Sequence, residues 1–541
     1  MGDPIWIVDA TLKAKGFLLS HPPSTYRGSI HAHGNRAAVE IEIPDLTFVE
    51  MPKVRLIDRA RLPVKDLAHI NSDNTICYVG EGGLPLDLYD PGGSVLRVLR
   101  EAEVALERSF GGQAANEYEG ELASYWNGQS KVYVALPPDE ANKIYRAELL
   151  RIGTNDNPIL VIVPTGRWKH LPVRSRSPVT ILCFTTKLRS DGAFKSENLA
   201  GILDWLGSQA PVREAIIASA RASEPIFVIS PNALIGWTPV LSASLKMFQK
   251  ASGVRKQFLE KQIAKSLNSI GLERMTGIRS DLQNVVQRNL LEKPSLAGKK
   301  ICLVGAGTIG GNLGRLLVQS GAGCGEDFVI YDNDVFRPGN LGRHVLGFAD
   351  LDRPKAEAMA DFLRGFHPDL RVRSSRRNAL EEWDALERSD LIIDATGDYN
   401  VAAALNHLRM ISHKDGNELA ILHAWVFGNG IAAQTFLNLK DGYGCYRCLR
   451  PTFDGPWRFA PVRDVKKLVD LAPALCGEAG YIPFAADAPV AAASLALRTA
   501  LDWAAKQPGQ RLRTITLDYE DGRDVKWTSP SRSKGCPACG S

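Results

Sequence analysis

The stretch KKICLVGAGTIGGNLGRLLVQSGAGCGEDFVIYDND, residues 299–334, constrains the fold of this chain more than any other. An apolar run, a glycine turn, a segment with helical apolar spacing and a second apolar run follow one another directly. That order is the first βαβ unit of a doubly wound sheet. Gly305, Gly307 and Gly310 form G-x-G-x-x-G immediately after the first run. The first glycine permits a tight turn and the second lets backbone approach a phosphate. The third lets helix and strand pack closely, with phosphate near the helix N-terminus. Asp332 ends the second run at the distance where an acidic residue bonds a ribose hydroxyl. Alone, the pattern means nucleotide binding and does not separate a dehydrogenase from an ATP enzyme.

The residues that follow make the separation. Asn340, Arg343 and Lys355 come just beyond the ribose-binding aspartate. Hydride transfer to a nicotinamide needs a neutral slot, whereas a triphosphate attacked at its α-phosphorus needs cations against the developing charge. The strand-like DLIIDATGDYN then brings Asp394 and Asp398 to its carboxyl end, where an aspartate can hold Mg²⁺ on the phosphates.

Cysteines supply the next constraint. Cys445 and Cys448 form one C-x-x-C, and Cys536 and Cys539 form another. Two such knuckles separated by a long insertion match a tetrahedral four-cysteine zinc site. A closed shell of thiolates leaves no open position for chemistry, so this metal would be structural and staple the C-terminal tail to its domain. A redox pair is the alternative, but it would need only one C-x-x-C, and neither pair opens a helix here. Cys183 and Cys302 lie in strand-like runs and read as core. Cys476 stands among the small residues Ala474, Gly477 and Ala479, as in a loop that lets a substrate terminus approach. Its thiolate would convert an acyl-adenylate into a thioester.

From about residue 280 to 541 the sequence resembles the ubiquitin-activating superfamily, the ThiF/MoeB-type adenylating enzymes. The resemblance rests on G-A-G-T-I-G, D-N-D-x-V, N-L-x-R-H, P-K-A, D-A-T-G-D, C-Y-R-C-L-R-P and a terminal C-P-A-C-G. It implies that Asp332 and Asp334 belong to the nucleotide site, with Asp332 on the ribose. It further implies that Asn340, Arg343 and Lys355 bind phosphates, that Asp398 holds Mg²⁺, and that Cys476, in C-G-E-A-G, is the thioester cysteine. This chain reads G-D-Y-N where the family usually reads T-D-N. Relatives use an arginine from an upstream helix, often of the partner protomer in a homodimer, and Arg288 in VVQRN is the matching candidate.

The N-terminal segment resembles the ubiquitin-conjugating fold. A strand–turn–strand with prolines, IEIPDLTFVEMPKVRLI, precedes H-I-N-S-D-N-T-I-C-Y, and a helix follows. His69, Asn71, Ile76 and Cys77 occupy the positions of the conjugating family's H-P-N…I-C segment. The resemblance implies that Cys77 carries the acyl group and that Asn71 donates an amide N–H to the oxyanion. Ile70 replaces the proline, and the His-to-Cys spacing is shorter than usual.

Together these readings give an α/β chain of three domains. Residues 1–130 are an α+β conjugating-enzyme-like domain, 131–270 an α/β connecting domain, and 271–541 a doubly wound, Rossmann-like adenylation domain with a four-cysteine zinc site. The arrangement resembles the bacterial fusions of CBASS antiphage operons. It implies activation of a protein C-terminus with ATP and Mg²⁺, thioesters on Cys476 and then Cys77, and ligation to a target amine. The acceptor would be a cGAS-like nucleotidyltransferase or, alternatively, a bacterial ubiquitin-like protein. A sulfur-carrier adenylyltransferase would need only the C-terminal half, and a nucleotide-binding scaffold or a reductase are further alternatives. A formal charge of +5 over 541 residues is too small to argue for nucleic acid as a partner. The most apolar stretch, PVAAASLALRTALDWAA, is broken by Arg498 and Asp502 and reads as a buried helix rather than a membrane span. Asp3 stands where a signal peptide would carry a basic residue, so the expected compartment is the cytoplasm.

Overall fold

Four antiparallel strands lie near the start of the chain, β1 (Leu18–His21), β2 (Thr25–Ala32), β3 (Asn35–Glu42) and β4 (Lys53–Leu56), in that spatial order. Along β3 burial alternates, with Ala37, Val39 and Ile41 facing inward, because a strand presents every second side chain to one face. Two helices cover that face, α1 (Pro4–Ala14) and α2 (Pro91–Phe110). In α2 the buried Val95, Val98, Leu99, Ala102 and Leu106 recur at helical spacing, which is the reason this stretch coils onto the sheet. Residues 74–76 run beside β4. The Ile76 N–H donates to the Val54 carbonyl at 2.8 Å, and the Leu56 N–H to the Asn74 carbonyl at 2.9 Å.

The computed structural model describes all residues except 1–2, 60–61, 63–66, 72, 79–82, 111–117, 121, 138–140, 155, 191–193, 195, 208, 251–254, 291, 416–417, 453–454, 465–481 and 541. It divides into two compact units, Met1–Ser280 and Asp281–Ser541.

The rest of the first unit begins with a short helix, α3 (Leu122–Tyr125), and then closes a barrel. Its strands are β5 (Ser130–Val134), β6 (Lys143–Gly153), β7 (Pro158–Pro164), β8 (Ser175–Cys183), β9 (Ile226–Ser230), β10 (Ala233–Val240) and β11 (Gly271–Arg279). Their order around the barrel is β10-β11-β5-β7-β6-β8-β9. Val132, Val134, Ile162, Ile181, Phe227 and Met275 pack together among its strands. Helices α4 (Leu199–Leu206) and α5 (Ala210–Ala222) pack beside it, with Leu122 and Trp126 in the same cluster. The expected α/β character is present, and its form is a barrel. Because β11 pairs with β10 and β5, residues 271–279 complete that barrel, and the two compact units meet at 280/281.

The second unit carries a seven-stranded sheet. Its strands are β12 (Ile301–Val304), β13 (Phe328–Tyr331), β14 (Val372–Ser375), β15 (Leu391–Asp394), β16 (Ala420–Phe427), β17 (Ala432–Asn438) and β18 (Leu512–Thr516), in the order β14-β13-β12-β15-β16-β17-β18. The first five in that order pair in parallel and the last two antiparallel. The chain therefore steps outward from β12 in one direction and resumes beside it with β15, the doubly wound topology expected from the glycine pattern. A crevice forms at the carboxyl ends of β12 and β15, where the winding reverses. Every residue of both strands is buried, as expected for apolar runs covered on both faces, with Asp394 at the end of β15 the one polar residue among them.

Candidate functional site

The glycine turn leaves β12 at that reversal. Gly305 has φ of +91°, and a Cβ built on it would lie 3.0 Å from the Thr396 backbone nitrogen. Glycine is thus required by the backbone angle and by the loop packed against it. At Gly310 an added Cβ would meet the Gly305 carbonyl oxygen at 1.8 Å, so the helix that follows can approach the turn only without a side chain there. That helix, Thr308–Gln319, has Gly307 as its N-cap, and no atom lies within 4 Å of a Cβ built there. Asp332, after β13, spans the turn. Its carboxylate accepts the Ala306 N–H at 2.7 Å and the Asp334 N–H at 2.8 Å. Burial pushes its pKa up despite those two donors.

A cleft of about 810 Å³ opens over this turn. Gly305, Gly307, Asp332, Asp334, Asn340, Arg343, Lys355 and Asp398 all line it. Lys355, at the start of the helix Lys355–Arg364, is only 7% exposed and forms an ion pair with Asp334. Burial works to raise the Asp334 pKa, but Lys355 and the Val335 N–H outweigh it and hold the carboxyl below its ordinary value. Arg343 lays its guanidinium over the Phe484 ring, 4.6 Å from the centroid. Asn340 accepts the Arg337 N–H through Oδ1 at 2.9 Å. Arg288 follows the helix Leu282–Gln287, is exposed, and is not among the residues lining the cleft. That helix is shorter than the helical pattern DLQNVVQRNLLEK suggested.

Of the two aspartates at the carboxyl end of β15, Asp398 lines the cleft, whereas Asp394, the last residue of the strand, is buried and does not. Asp398 caps the helix Tyr399–Ile411, accepting the Asn400 and Val401 N–H groups through Oδ1 at 2.7 and 3.2 Å. Neither of these bonds uses Oδ2, and Mg²⁺ on a nucleotide needs only one or two carboxylates beside the phosphates, so this residue fits the ion.

His344, Thr396 and Phe484 belong to the site without having been singled out. His344 bonds the Ala306 carbonyl through Nε2 at 2.8 Å and accepts the Leu346 N–H through Nδ1 at 3.0 Å. Accepting at Nδ1 places the proton on Nε2, and burial depresses its pKa, so the ring is a neutral brace for the glycine turn. Its position in N-L-x-R-H was the only sequence signal for it.

The two C-x-x-C knuckles meet. The sulfurs of Cys445, Cys448, Cys536 and Cys539 all lie within 4.8 Å of one another. Three of the separations are 4.0, 3.9 and 3.5 Å. Tetrahedral zinc with Zn–S bonds of about 2.3 Å would set sulfurs roughly 3.8 Å apart, so the four thiols fit a metal ion. The Ser533 N–H and the Asn406 side-chain amide donate to Cys448 and Cys445 at 3.3 and 3.7 Å, the outer bonds that orient thiolate ligands. The Cys445 thiol and the Ser533 amide hold the Cys448 thiol below its ordinary pKa. Cys183 and Cys302 are buried, as expected for core, and burial pushes the Cys302 thiol up to about 11.

In the first unit Cys77 is exposed. Its N–H donates to the His69 carbonyl at 2.7 Å, and the His69 N–H donates to the Tyr125 hydroxyl at 2.8 Å. His69 sits at φ of +58°, so this backbone turn is held by bonds on both sides. Asn71 is exposed on the intervening loop, with its N–H bonded to the Thr75 carbonyl at 2.9 Å. Cys476 lies outside the described residues.

Known proteins match both halves. The Prokaryotic E2 family B model matches residues 8–135, and the ThiF family model matches 283–538. The chain is 30% identical over 523 residues to the ATP-dependent ubiquitin transferase-like protein Cap2 of Pseudomonas aeruginosa, covering 92% of this chain and 91% of that one. The protein of the same name from Escherichia coli is 24% identical over 551 residues, 93% of this chain and 90% of that one. The SAMP-activating enzyme E1 of Haloferax volcanii is 30% identical over 164 residues, 30% of this chain and 57% of the other.

Proposed function

The chain belongs to the family of the Cap2 ATP-dependent ubiquitin transferase-like proteins, and on that premise we propose that it activates a protein C-terminus with ATP and relays it through two cysteines to a target amine. It is an enzyme that joins an E1-like adenylating part to an E2-like part. The observation that carries the proposal is the single cleft lined by the glycine turn, Asp332, Arg343, Lys355 and Asp398.

In the proposed first step the acceptor's carboxylate oxygen attacks the α-phosphorus of ATP, and pyrophosphate leaves. Asp332 holds the ribose, and the amides at the N-terminus of the glycine-turn helix face the phosphates. Arg343 and Lys355 neutralise charge that grows on the phosphate oxygens, and the buried stem of Lys355 keeps its ammonium in place. Asp398 would hold Mg²⁺, which when bound supplies further neutralisation of the triphosphate. The Cys476 thiolate then attacks the acyl carbon and AMP leaves. Cys77 attacks that thioester and frees Cys476. A target amine attacks the Cys77 thioester, loses its proton as the amide forms, and releases the thiol. Asn71 is the proposed donor to the oxyanion of that last step. Thioester exchange is nearly thermoneutral, so ATP supplies the drive at the first step alone.

The four-cysteine cluster would hold structural zinc. The proposed acceptor is a cGAS-like nucleotidyltransferase in antiphage signalling, and the proposed assembly is a cytoplasmic homodimer in which Arg288 serves the partner's nucleotide. Among the described residues no helix is long and apolar enough to cross a membrane. ATP–pyrophosphate exchange driven by the acceptor tests the first step. Exchange should require the acceptor's free C-terminal carboxylate, and exchange that persists when that carboxylate is amidated contradicts it. A ubiquitin-like protein that drives exchange where the nucleotidyltransferase does not would reassign the acceptor.

A further inference from the structure

The side chain of His423, on β16, is 1% exposed, and the Asp394 carboxylate beside it 3%. Its Nδ1 lies 2.8 Å from Asp394 Oδ2, and among the described residues its Nε2 has no hydrogen-bond partner. The ring packs against Tyr446 with centroids 4.5 Å apart. A phenyl ring would satisfy that packing without burying an unpaired nitrogen, so what the imidazole adds is its one bond to Asp394.

Asp394 passes that restraint on. Its other oxygen accepts both the N–H and the hydroxyl of Thr396, at 3.1 and 2.7 Å. The Thr396 hydroxyl oxygen in turn accepts the Asp398 N–H at 3.2 Å. Between Ala395 and the first turn of the helix Tyr399–Ile411, Gly397 has φ of +68°. Ala395 is tied to β12 by its N–H, which donates to the Val304 carbonyl at 2.9 Å. Beyond Ala395, among the described residues, the hydrogen bonds that fix this turn run through Asp394, Thr396 or Asp398 itself, and His423 holds the second oxygen of the buried Asp394.

We propose that His423 is a positioning residue for the nucleotide site, orienting the Asp398 carboxylate through Asp394 and Thr396. This rests on the reading of Asp398 as the Mg²⁺ ligand. Without the Nδ1–H donor, Asp394 is free to rotate, Thr396 loses its fixed acceptor, and Asp398 no longer meets the ion at a fixed angle. The ribose contact at Asp332 is on another strand and is unaffected.

The test is the gain in ATP affinity that Mg²⁺ gives, the ratio of dissociation constants in EDTA and in Mg²⁺, measured by calorimetry on the full chain. His423→Phe keeps the ring and removes the donor, whereas His423→Asn keeps a donor at the Nδ1 position and removes the ring. His423→Phe should reduce the gain about tenfold, the worth of one buried charge-assisted hydrogen bond, and leave affinity in EDTA unchanged. His423→Asn should stay within about twofold of wild type. Thr396→Val, at an exposed position, should reduce the Mg²⁺-dependent gain as His423→Phe does and decides the matter if that variant does not fold. A wild-type gain in Thr396→Val, or loss in His423→Asn with retention in His423→Phe, overturns the proposal. Asp398→Asn separates the two readings. If the gain survives that substitution, the assignment of Asp398 fails. If it is lost there but kept in Thr396→Val and His423→Phe, only the role of His423 fails.

Discussion

Asp332 and Asp334 stand two residues apart and are pushed in opposite directions. Burial raises the Asp332 carboxyl above its ordinary range, while the ion pair with buried Lys355 holds Asp334 below it. For Asp332 the folded state binds its proton more readily than the unfolded chain, so its contribution to stability falls as pH rises from the unfolded to the folded pKa, and is constant above. Asp334 contributes stability that is present above its unfolded pKa and lost as pH falls through the lower folded value. The functional consequence follows the first residue. A protonated Asp332 no longer accepts from both the Ala306 and Asp334 amides and presents a poorer acceptor to ribose. ATP affinity, measured by calorimetry, should therefore begin to fall on acidification above the range of an ordinary aspartate. Asp332→Asn should bind ATP about tenfold or more weakly and lose that acidic limb. An unchanged limb in the variant would detach Asp332 from nucleotide binding. Lys355→Ala should lower ATP–pyrophosphate exchange by about a hundredfold or more, since it removes the buried cation that the proposed first step sets against developing charge.

At the scale of elements, the glycine turn and the cysteine knuckles each join pieces that cannot meet otherwise. Gly310→Ala places a methyl against the Gly305 carbonyl, so helix and turn must separate. The cost should be about 3 kcal/mol with loss of ATP binding, read by denaturant melts and calorimetry. Cys536→Ser breaks a cluster that ties residues 445–448 to 536–539. It should lower the metal content of the purified chain and reduce Tm by about 10 °C. Full zinc occupancy in that variant would contradict a four-thiolate shell. Both features were legible in the sequence because their signals are short: a spacing of three glycines after an apolar run, and two pairs of cysteines three residues apart. The barrel was not. Its closure depends on pairings such as β5 with β11, strands separated by more than a hundred residues, and no local periodicity reports such a register. His344 and His423 were missed for the same reason. One bonds a carbonyl 38 residues away and the other a carboxylate 29 away, and the local sequence does not report partners at that separation.

On the scale of the whole molecule, each unit carries one of the two proposed relay thiols. Cys77 is exposed beside a backbone turn clamped by Tyr125, and Cys476 belongs to the adenylating half. A chain that only activated its substrate would have no chemical use for the match of residues 8–135 to the Prokaryotic E2 family B model. The central claim is therefore the order of the two thiols. Cysteine-to-alanine replacement removes the nucleophile with a small change in volume, so each variant should stop the relay at a defined stage. Cys476→Ala should retain ATP–pyrophosphate exchange and form no thioester. The most direct measurement is intact-protein mass spectrometry of Cys77→Ala, incubated with MgATP, target and an acceptor that wild type conjugates. The account predicts an acceptor adduct on Cys476 that is released by thiol reductant, with no acceptor–target amide. Wild-type yields of that amide from the Cys77→Ala enzyme would contradict the relay and leave only the adenylating half of the mechanism standing.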